Sequence, residues 1–152
     1  MKREDLENWI QTQTDIRDIE NLKGRYAAFC DDGYNPDGIA SLFTSDGVWE
    51  APWQGRFEGR EEIKSFFKRV SGTITFSIHG VVNPVINVNG NSANGRWYLF
   101  QPCIINGEAY WVSGKYLDEY SKINGEWFFK SLKVSSFFRA PFASGWNCKS
   151  LG

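Results

Sequence analysis

Hydrophobic and polar side chains alternate along residues 73–83, which read TITFSIHGVVN. The apolar members fall on one face, and the polar members, ending with His79, fall on the other. A period of two predicts a β-strand. Because the face that carries His79 also carries Thr and Ser, the pattern alone allows this face to point to solvent.

The chain after residue 83 continues this β pattern. Three Asn-Gly dipeptides separate long alternating runs, and Asn-Gly is a strong signal for a tight hairpin turn. The sequence therefore predicts an antiparallel meander, whose long strands must twist and coil strongly. Gly95 and Gly114 are expected points of bending or bulging. After the His79 strand, which runs toward Pro84, a second run continues to Val88. Three further strands are predicted at 93–105, 108–120 and 126–138.

The first half of the chain shows helical spacing instead. Apolar residues recur every three or four positions from Asp15, which predicts a long amphipathic helix that ends near Gly33. Residues 1–14 are polar and are expected to form an N-terminal arm or a helical turn. The pattern also predicts a turn followed by a short helix within 35–44 and a second amphipathic helix at 60–70. Between them it predicts a short strand at 48–53, which Pro52 confines to an edge or a bulge.

Helices followed by a coiled meander predict one α+β domain over residues 1–152. Its helices should pack on one face of a strongly curved sheet and form a half-open cone. The segment 139–152 is rich in aromatics and is expected to cover a cavity mouth or a neighbouring subunit. Apolar sheet faces and this segment together predict a homodimer or homotrimer.

Composition narrows the range of functions. The net charge is -1 without a basic run, which argues against nucleic acid or an anionic membrane surface as a partner. The 3 cysteines are widely spaced and form neither a disulfide framework nor a zinc motif. The charged N-terminus has no apolar signal region and no run is long enough to span a membrane, so we expect a cytoplasmic protein. Aromatic residues make up 16% of the chain, enough to line a cavity as well as fill a core.

Candidate chemistry centres on one side chain. His79 is the only histidine in the sequence, and histidine is the usual proton carrier of cofactor-free sites. Asp31 and Asp32 lie in the last turn of the predicted long helix, where the helix dipole disfavours a carboxylate. They are either a solvated helix end or carboxylates kept for chemistry. Asp31 lies off the apolar stripe, so reaching a pocket would require the last turn to distort.

The order of motifs resembles a known family. The VWEAP strand, the GRFEGREEIKSFF helix and the meander that ends in GEW resemble the SnoaL-like branch of the nuclear-transport-factor-two-like, cystatin-like cone superfamily. The resemblance covers roughly residues 12–142. Within this branch, the pattern is most similar to the hexachlorocyclohexane dehydrochlorinases and the bile-acid dehydratases, which use an Asp–His dyad.

The resemblance assigns the dyad to Asp31 and His79. Tyr26 matches a pocket tyrosine of the dehydratases, but Gln101 stands in the place of their second pocket aspartate. Ser136 stands where those enzymes carry a pocket arginine. Because two charged groups of the dehydratase pocket are missing, the resemblance implies the Asp–His dyad for this chain but not the dehydration of bile acids.

The resemblance therefore implies a lyase or isomerase that moves protons without metal or cofactor, on a small apolar cyclic substrate. A non-catalytic cone that binds an apolar ligand and a scaffolding β subunit of a ring-hydroxylating dioxygenase are the alternatives. A lone histidine is also often a hydrogen-bonded structural residue. The residues expected to line the cavity are Tyr26, Trp49, Trp53, Phe66, Trp97, Leu99, Gln101 and Trp111.

Overall fold

The computed structural model describes residues 2–147, so the last part of the predicted covering segment, 148–152, lies outside the described residues. In chain order the elements are α1 (Arg3–Asp31), α2 (Pro36–Ser41), β1 (Phe43–Ala51), β2 (Gly55–Glu58), α3 (Arg60–Thr73), β3 (Ile74–Ser77), β4 (Gly80–Asn89), β5 (Ser92–Ile105), β6 (Glu108–Ile123), β7 (Glu126–Pro141) and a 3₁₀ turn (Gly145–Asn147).

The first helix is longer than the sequence pattern predicts. It begins at Arg3 rather than Asp15, so most of the expected N-terminal arm is helical. Neither Gly nor Pro interrupts residues 3–23, and helix formers propagate a helix even where no face is buried. Arg3 pairs with Glu7 at 2.7 Å, whereas Trp9 in the same segment stays 59% exposed.

The strands form one curled sheet in the order β2-β1-β7-β6-β5-β3, and β4 also pairs with β5. The strands from β4 to β7 form the predicted antiparallel meander. Asn106 and Asn124 take positive φ before their glycines, as hairpin turns of this type require. β1 is parallel to β7, which makes the sheet mixed. The sequence allowed an edge or a bulge for this strand. β1 lies between β2 and β7 and ends before Pro52, so it is not an edge strand, and its pairing with β7 shifts between Phe43 and Val48.

One of the two glycines expected to bend the sheet does so. The pairing of β6 with β7 shifts between Ser113 and Gly114, where Phe137 is the extra residue of a bulge. A Cβ at Gly114 would overlap the carbonyl oxygen of Ser135, so only glycine fits there. Gly95 pairs in regular register on both sides. Its absent side chain makes room for the ring of Tyr120 instead.

The stretch around His79 is not one continuous strand. β3 ends at Ser77 and β4 begins at Gly80, and both strands pair with β5. The two residues between them leave the ladder, although the backbone N–H of Ile78 still donates to Pro102 at 3.1 Å. This interruption frees His79 from strict alternation.

The helices cover the concave side of the sheet, where one hydrophobic core fills the closed part of the cone. The convex side also carries many apolar side chains. Self-association through this face remains a prediction. The most exposed apolar residues of the convex side include Phe76, Ile78, Val82, Val85, Phe100, Leu117, Phe137, Phe142 and Trp146.

Candidate active site

Asp31 and His79 meet between α1 and the β3–β4 junction. Asp31 Oδ1 lies 2.7 Å from Nδ1 of His79 and also accepts the backbone N–H of His79 at 2.9 Å. The imidazole side chain is only 4% exposed, whereas the carboxylate is 29% exposed. The ring therefore lies in the protein wall, with the carboxylate behind it toward solvent.

The end of α1 explains how Asp31 reaches the ring. The helix stays regular through Asp31, so the expected distortion of its last turn is not needed. The backbone leaves the helix at Asp32, and Gly33 and Tyr34 then take left-handed φ values of 61° and 55°. As the last helical residue, Asp31 can extend beyond the helix end toward the backbone of His79.

This contact fixes the tautomer of the neutral imidazole. A carboxylate can only accept hydrogen bonds, so Nδ1 carries the proton and donates it to Asp31. Nε2 is then left with a lone pair. His79 lines the main cavity, and the hydroxyl of Tyr34 lies 3.5 Å from Nε2. Nε2 is consequently the nitrogen available to a bound molecule.

Tyr34 is a site residue that the sequence did not reveal. Its hydroxyl accepts a hydrogen bond from Nε2 of Gln101 at 2.9 Å, and its ring stacks on Phe67 with centroids 5.9 Å apart. Burial raises the pKa of Tyr34, so the phenol stays protonated and keeps one O–H to donate, either to Nε2 of His79 in the empty cavity or to a bound molecule. Positive φ is uncommon outside glycine and clusters at functional sites. Nothing in the local sequence marks Tyr34, apart from its place after Gly33.

An aromatic cavity opens in front of His79. About 80 Å³ of it is open to the centre of a water molecule, which exceeds the roughly 10–15 Å³ that one water needs. The wall combines α1, β1, α3, β5, β6 and β7. The residues expected from the sequence that do line it are Tyr26, Trp49, Trp53, Phe66, Leu99 and Gln101, together with His79.

Two residues expected in the cavity lie elsewhere. Trp97 is buried on the concave side but deeper in the cone, where its indole N–H donates to Tyr120 at 3.0 Å. Trp111 points to the convex face and stacks on Phe100 with ring centroids 5.1 Å apart. On β6 the neighbour Val112 takes the inward position. Alternation along the strand therefore excludes Trp111 from the cavity.

The sequence also missed several wall residues that come from inward strand positions. Tyr116 could have been found by counting alternate positions along β6. Val134 and Arg139 could not, because bulges at Lys130 and Phe137 shift the alternation along β7. Cys103 lies in the same wall, and burial raises its pKa to about 11, so it remains a neutral thiol. The wall residues beyond those expected are Tyr34, Gln54, Phe67, Val70, Ile74, Cys103, Ile105, Val112, Tyr116, Val134 and Arg139. Ser136, which the resemblance assigns to a pocket position, also lines the wall.

Within residues 2–147, no group of three or more His, Cys, Asp or Glu residues is placed to hold a metal ion. The helices of the same range are too short or too polar to cross a membrane.

The fold and site together define a cone-shaped α+β domain with an Asp–His pair at an aromatic cavity. Comparison of the sequence with family profiles is more specific. The profile of the SnoaL-like domain matches residues 11–133, and the chain belongs to this family.

Solved structures show the same architecture. The hexachlorocyclohexane dehydrochlorinase LinA-type3 of Novosphingobium barchaimii is 19% identical, with a TM-score of 0.81 over 88% of this chain and 94% of that one. A candidate scytalone dehydratase of Novosphingobium aromaticivorans is 20% identical, with a TM-score of 0.79 over 91% of this chain and 92% of that one. A protein of unknown function with a cystatin-like fold from Nostoc punctiforme is 24% identical, with a TM-score of 0.71 over 81% of this chain and 91% of that one. At these identities the likeness establishes the fold.

Proposed function

We propose that this protein is a cofactor-independent lyase or isomerase, in which Asp31 and His79 transfer a proton on a small apolar cyclic substrate. The observation that carries the proposal is the 2.7 Å contact between Asp31 Oδ1 and His79 Nδ1. It leaves Nε2 as a base in the wall of an aromatic cavity. A scaffolding subunit has no need of such a pair beside a cavity, so this contact favours catalysis.

The chemistry of an elimination balances with these groups alone. Nε2 of His79 takes a proton from a substrate carbon, and the electrons of that C–H bond form the new C=C bond. The leaving group departs from the adjacent carbon with its bonding pair. When it is a hydroxyl, the imidazolium returns the proton and water leaves. When it is a halide, the proton stays on His79 until solvent removes it. In an isomerisation the imidazolium returns the proton to a different carbon.

Asp31 stabilises the charge that forms on the ring. The carboxylate holds Nδ1–H in place and lies opposite the positive charge that develops when Nε2 is protonated. A positioned general base of this kind contributes ~10²–10⁴-fold to a rate. Asp31 is partly exposed to solvent, and His79 is not.

Tyr34 and Gln101 suit the oxygen or halogen of the substrate. Burial raises the pKa of Tyr34, so this phenol donates a hydrogen bond and does not release its proton. Gln101 holds the Tyr34 hydroxyl in place through the 2.9 Å hydrogen bond. The two residues can therefore orient a leaving group near Nε2.

The comparisons are consistent with this class of reaction. A dehydrochlorinase and a candidate scytalone dehydratase are among the proteins of similar fold, and both names describe eliminations. Their low sequence identity leaves the substrate of this chain open. The proposal therefore rests on the Asp31–His79 geometry, and the likeness supports the reaction class.

The proposal is tested with a panel of small cyclic hydroxy, halo and keto compounds in D₂O, followed by NMR and mass spectrometry. Wild-type protein is expected to eliminate a leaving group, or to exchange a C–H proton for deuterium, in at least one compound. His79→Gln should abolish both reactions and still bind that compound. Binding without turnover or exchange by the wild type would favour a ligand-binding cone. Equal rates in wild type and His79→Gln would contradict the proposed role of His79.

A further inference from the structure

A groove continues outward from the mouth of the main cavity. The cavity and the groove share six wall residues, including Gln54, Ile74 and Arg139. The groove adds Phe57, Arg69 and Thr73, so it extends along α3. A molecule bound at His79 can therefore extend from the aromatic interior into a polar channel.

Two arginines lie in the wall of this groove, and they come from different elements. Arg139 comes from β7, two residues after the bulge at Phe137, and its guanidinium carbon lies 5.6 Å from the ring centre of Tyr110. Arg69 comes from α3, and its guanidinium lies over the rings of Phe57 and Phe66 at 5.7 and 5.9 Å. Aromatic rings hold both guanidinium groups from one side.

Among the described residues, 2–147, neither Arg69 nor Arg139 forms an ion pair, and the described lining of the groove contains no Asp or Glu. Arg69 donates a hydrogen bond to the carbonyl of Ser65, at 3.3 Å. By contrast, Arg3, Arg17 and Arg56 each pair with a glutamate.

An unpaired guanidinium in a groove is suited to an anion. Its planar set of N–H donors matches the two oxygens of a carboxylate, and such bonds are stronger than neutral ones. Arg139 is half-buried, so solvent screens it less than a fully exposed arginine. The groove also lies at the opening of the cavity, where it would contact the part of the ligand farthest from the interior.

We propose that the substrate is an amphipathic carboxylic acid, whose apolar ring enters the cavity while its carboxylate binds Arg139, with Arg69 adding to the positive field. This inference rests on the proposed function for its account of the cavity. It adds a substrate class that the dyad does not specify. The largely aromatic wall of the cavity and the cationic end formed by Arg139 and Arg69 then match the two ends of one molecule.

The test measures binding of cyclohexylacetate, 3-cyclohexylpropionate and 4-cyclohexylbutyrate, each beside its neutral amide, by isothermal titration calorimetry at low salt. For at least one chain length, the acid is expected to bind about tenfold or more tightly than its amide. Arg139→Gln should remove most of this preference, and Arg69→Gln should reduce it by a smaller factor. Arg17→Gln, an exposed arginine of α1, is the matched control and should leave the preference unchanged. Raising the salt concentration should weaken the binding of the acids and leave the binding of the amides unchanged.

Each outcome bears on the proposal. Equal binding of acid and amide at all three lengths, no acid binding at all, or a preference that survives Arg139→Gln would overturn it. His79→Gln separates this inference from the proposed function, because that variant should keep the preference for acids. If the wild-type protein prefers acids to amides in this way but turns over none of the test compounds, the result supports the anion subsite and rejects the catalytic role.

Discussion

The carboxylate of Asp31 accepts two hydrogen bonds from a single residue, one from the Nδ1–H of His79 at 2.7 Å and one from its backbone N–H at 2.9 Å. The second bond positions the backbone that carries the ring, so the carboxylate fixes both the tautomer of the imidazole and its position. The same pair ties the end of α1 to the break between β3 and β4. The geometry of the Asp31–His79 pair thus depends on one oxygen atom, Oδ1 of Asp31.

Removing the charge of Asp31 should therefore affect the reaction more than binding. We expect Asp31→Asn to lower the turnover of an identified substrate by about 100-fold or more, because the amide neither fixes the tautomer nor stabilises the imidazolium. The dissociation constant should change by less than about threefold. Steady-state kinetics and calorimetry measure the two effects.

Asp32 supplies the matched control. It is the next residue, it carries the same charge at the same helix end, and it is exposed. Asp32→Asn should leave both turnover and binding close to wild type. If the two variants lose the same activity, the effect comes from the helix end and not from the dyad.

Tyr34 should matter both for stability and for the reaction. Tyr34→Phe removes the acceptor of Gln101 and the donor that lies near His79. Leaving a buried amide without its partner lowers the free energy of unfolding by about 1–3 kcal/mol. We also expect kcat to fall while KM changes little. Urea unfolding and steady-state kinetics test these effects, and an unchanged kcat would remove Tyr34 from the proposed mechanism.

The closed end of the cone contains a buried ion pair that the mechanism does not use. Lys23 donates to Asp118 Oδ2 at 2.8 Å, and both side chains are 0% exposed. Burial lowers the pKa of Lys23 and raises the pKa of Asp118, because it disfavours both charges. The attraction between the two charges opposes both shifts. Each charge is tolerated only because the other is present.

Breaking this pair from one side should therefore be worse than neutralising both sides. Lys23→Met leaves the carboxylate of Asp118 buried and unpaired, which lowers the free energy of unfolding by about 3–5 kcal/mol. Adding Asp118→Asn to that variant should restore part of the loss. Urea unfolding of the single and double variants gives the comparison. Additive losses would show that the two charges do not stabilise each other.

Asp15 should make stability depend on acid pH. Burial opposes its charge, but hydrogen bonds from Lys122 at 2.8 Å and Trp127 at 2.9 Å outweigh burial and lower the pKa of Asp15. A carboxylate with a lowered folded-state pKa stabilises the protein above its unfolded-state pKa of about 3.9, and this contribution is lost as the pH falls through the folded-state value.

The variant Asp15→Asn tests that sign. It should be less stable than wild type at pH 7, and the difference should shrink as the pH falls below about 4. Asp18→Asn, an exposed carboxylate on the same helix, should show no such dependence. A difference between wild type and Asp15→Asn that stays constant from pH 7 to pH 3 would contradict the lowered pKa.

The sequence predicted those parts of the fold that depend on local pattern. Asn106-Gly107 and Asn124-Gly125 form hairpin turns through their left-handed backbone, so this part of the meander could be predicted. The turn between β4 and β5 is one residue later than the predicted Asn89-Gly90, because Asn89 still pairs with Ser92 and Gly90 takes the positive φ. The pairing of Asp31 with His79 came from a resemblance to a family, because no local pattern connects residues that are far apart in the sequence. The start of α1 was missed because residues 1–14 bury little apolar surface, and helix propensity alone extends the helix to Arg3.

The rest of the site depends on departures from regular structure. Tyr34 enters the cavity through a left-handed backbone that nothing short of the structure reveals. Arg139 enters it through a bulge opposite Gly114, and the sequence predicted that bulge without showing which β7 side chain it would turn inward. Trp111 was assigned to the cavity because large aromatics occupy both faces of β6, so hydrophobicity could not distinguish the inner face from the outer one.

The central claim is that Asp31 keeps the proton of neutral His79 on Nδ1 and leaves the lone pair of Nε2 facing the cavity. Because His79 is the only histidine, ¹⁵N-histidine labelling of protein without a histidine tag gives signals from this ring alone. Long-range ¹H–¹⁵N NMR spectra of the neutral ring should show a protonated Nδ1 and an unprotonated Nε2, and Asp31→Asn should abolish this preference. A ring protonated on Nε2, or one that exchanges freely between tautomers in the wild type, would contradict the account.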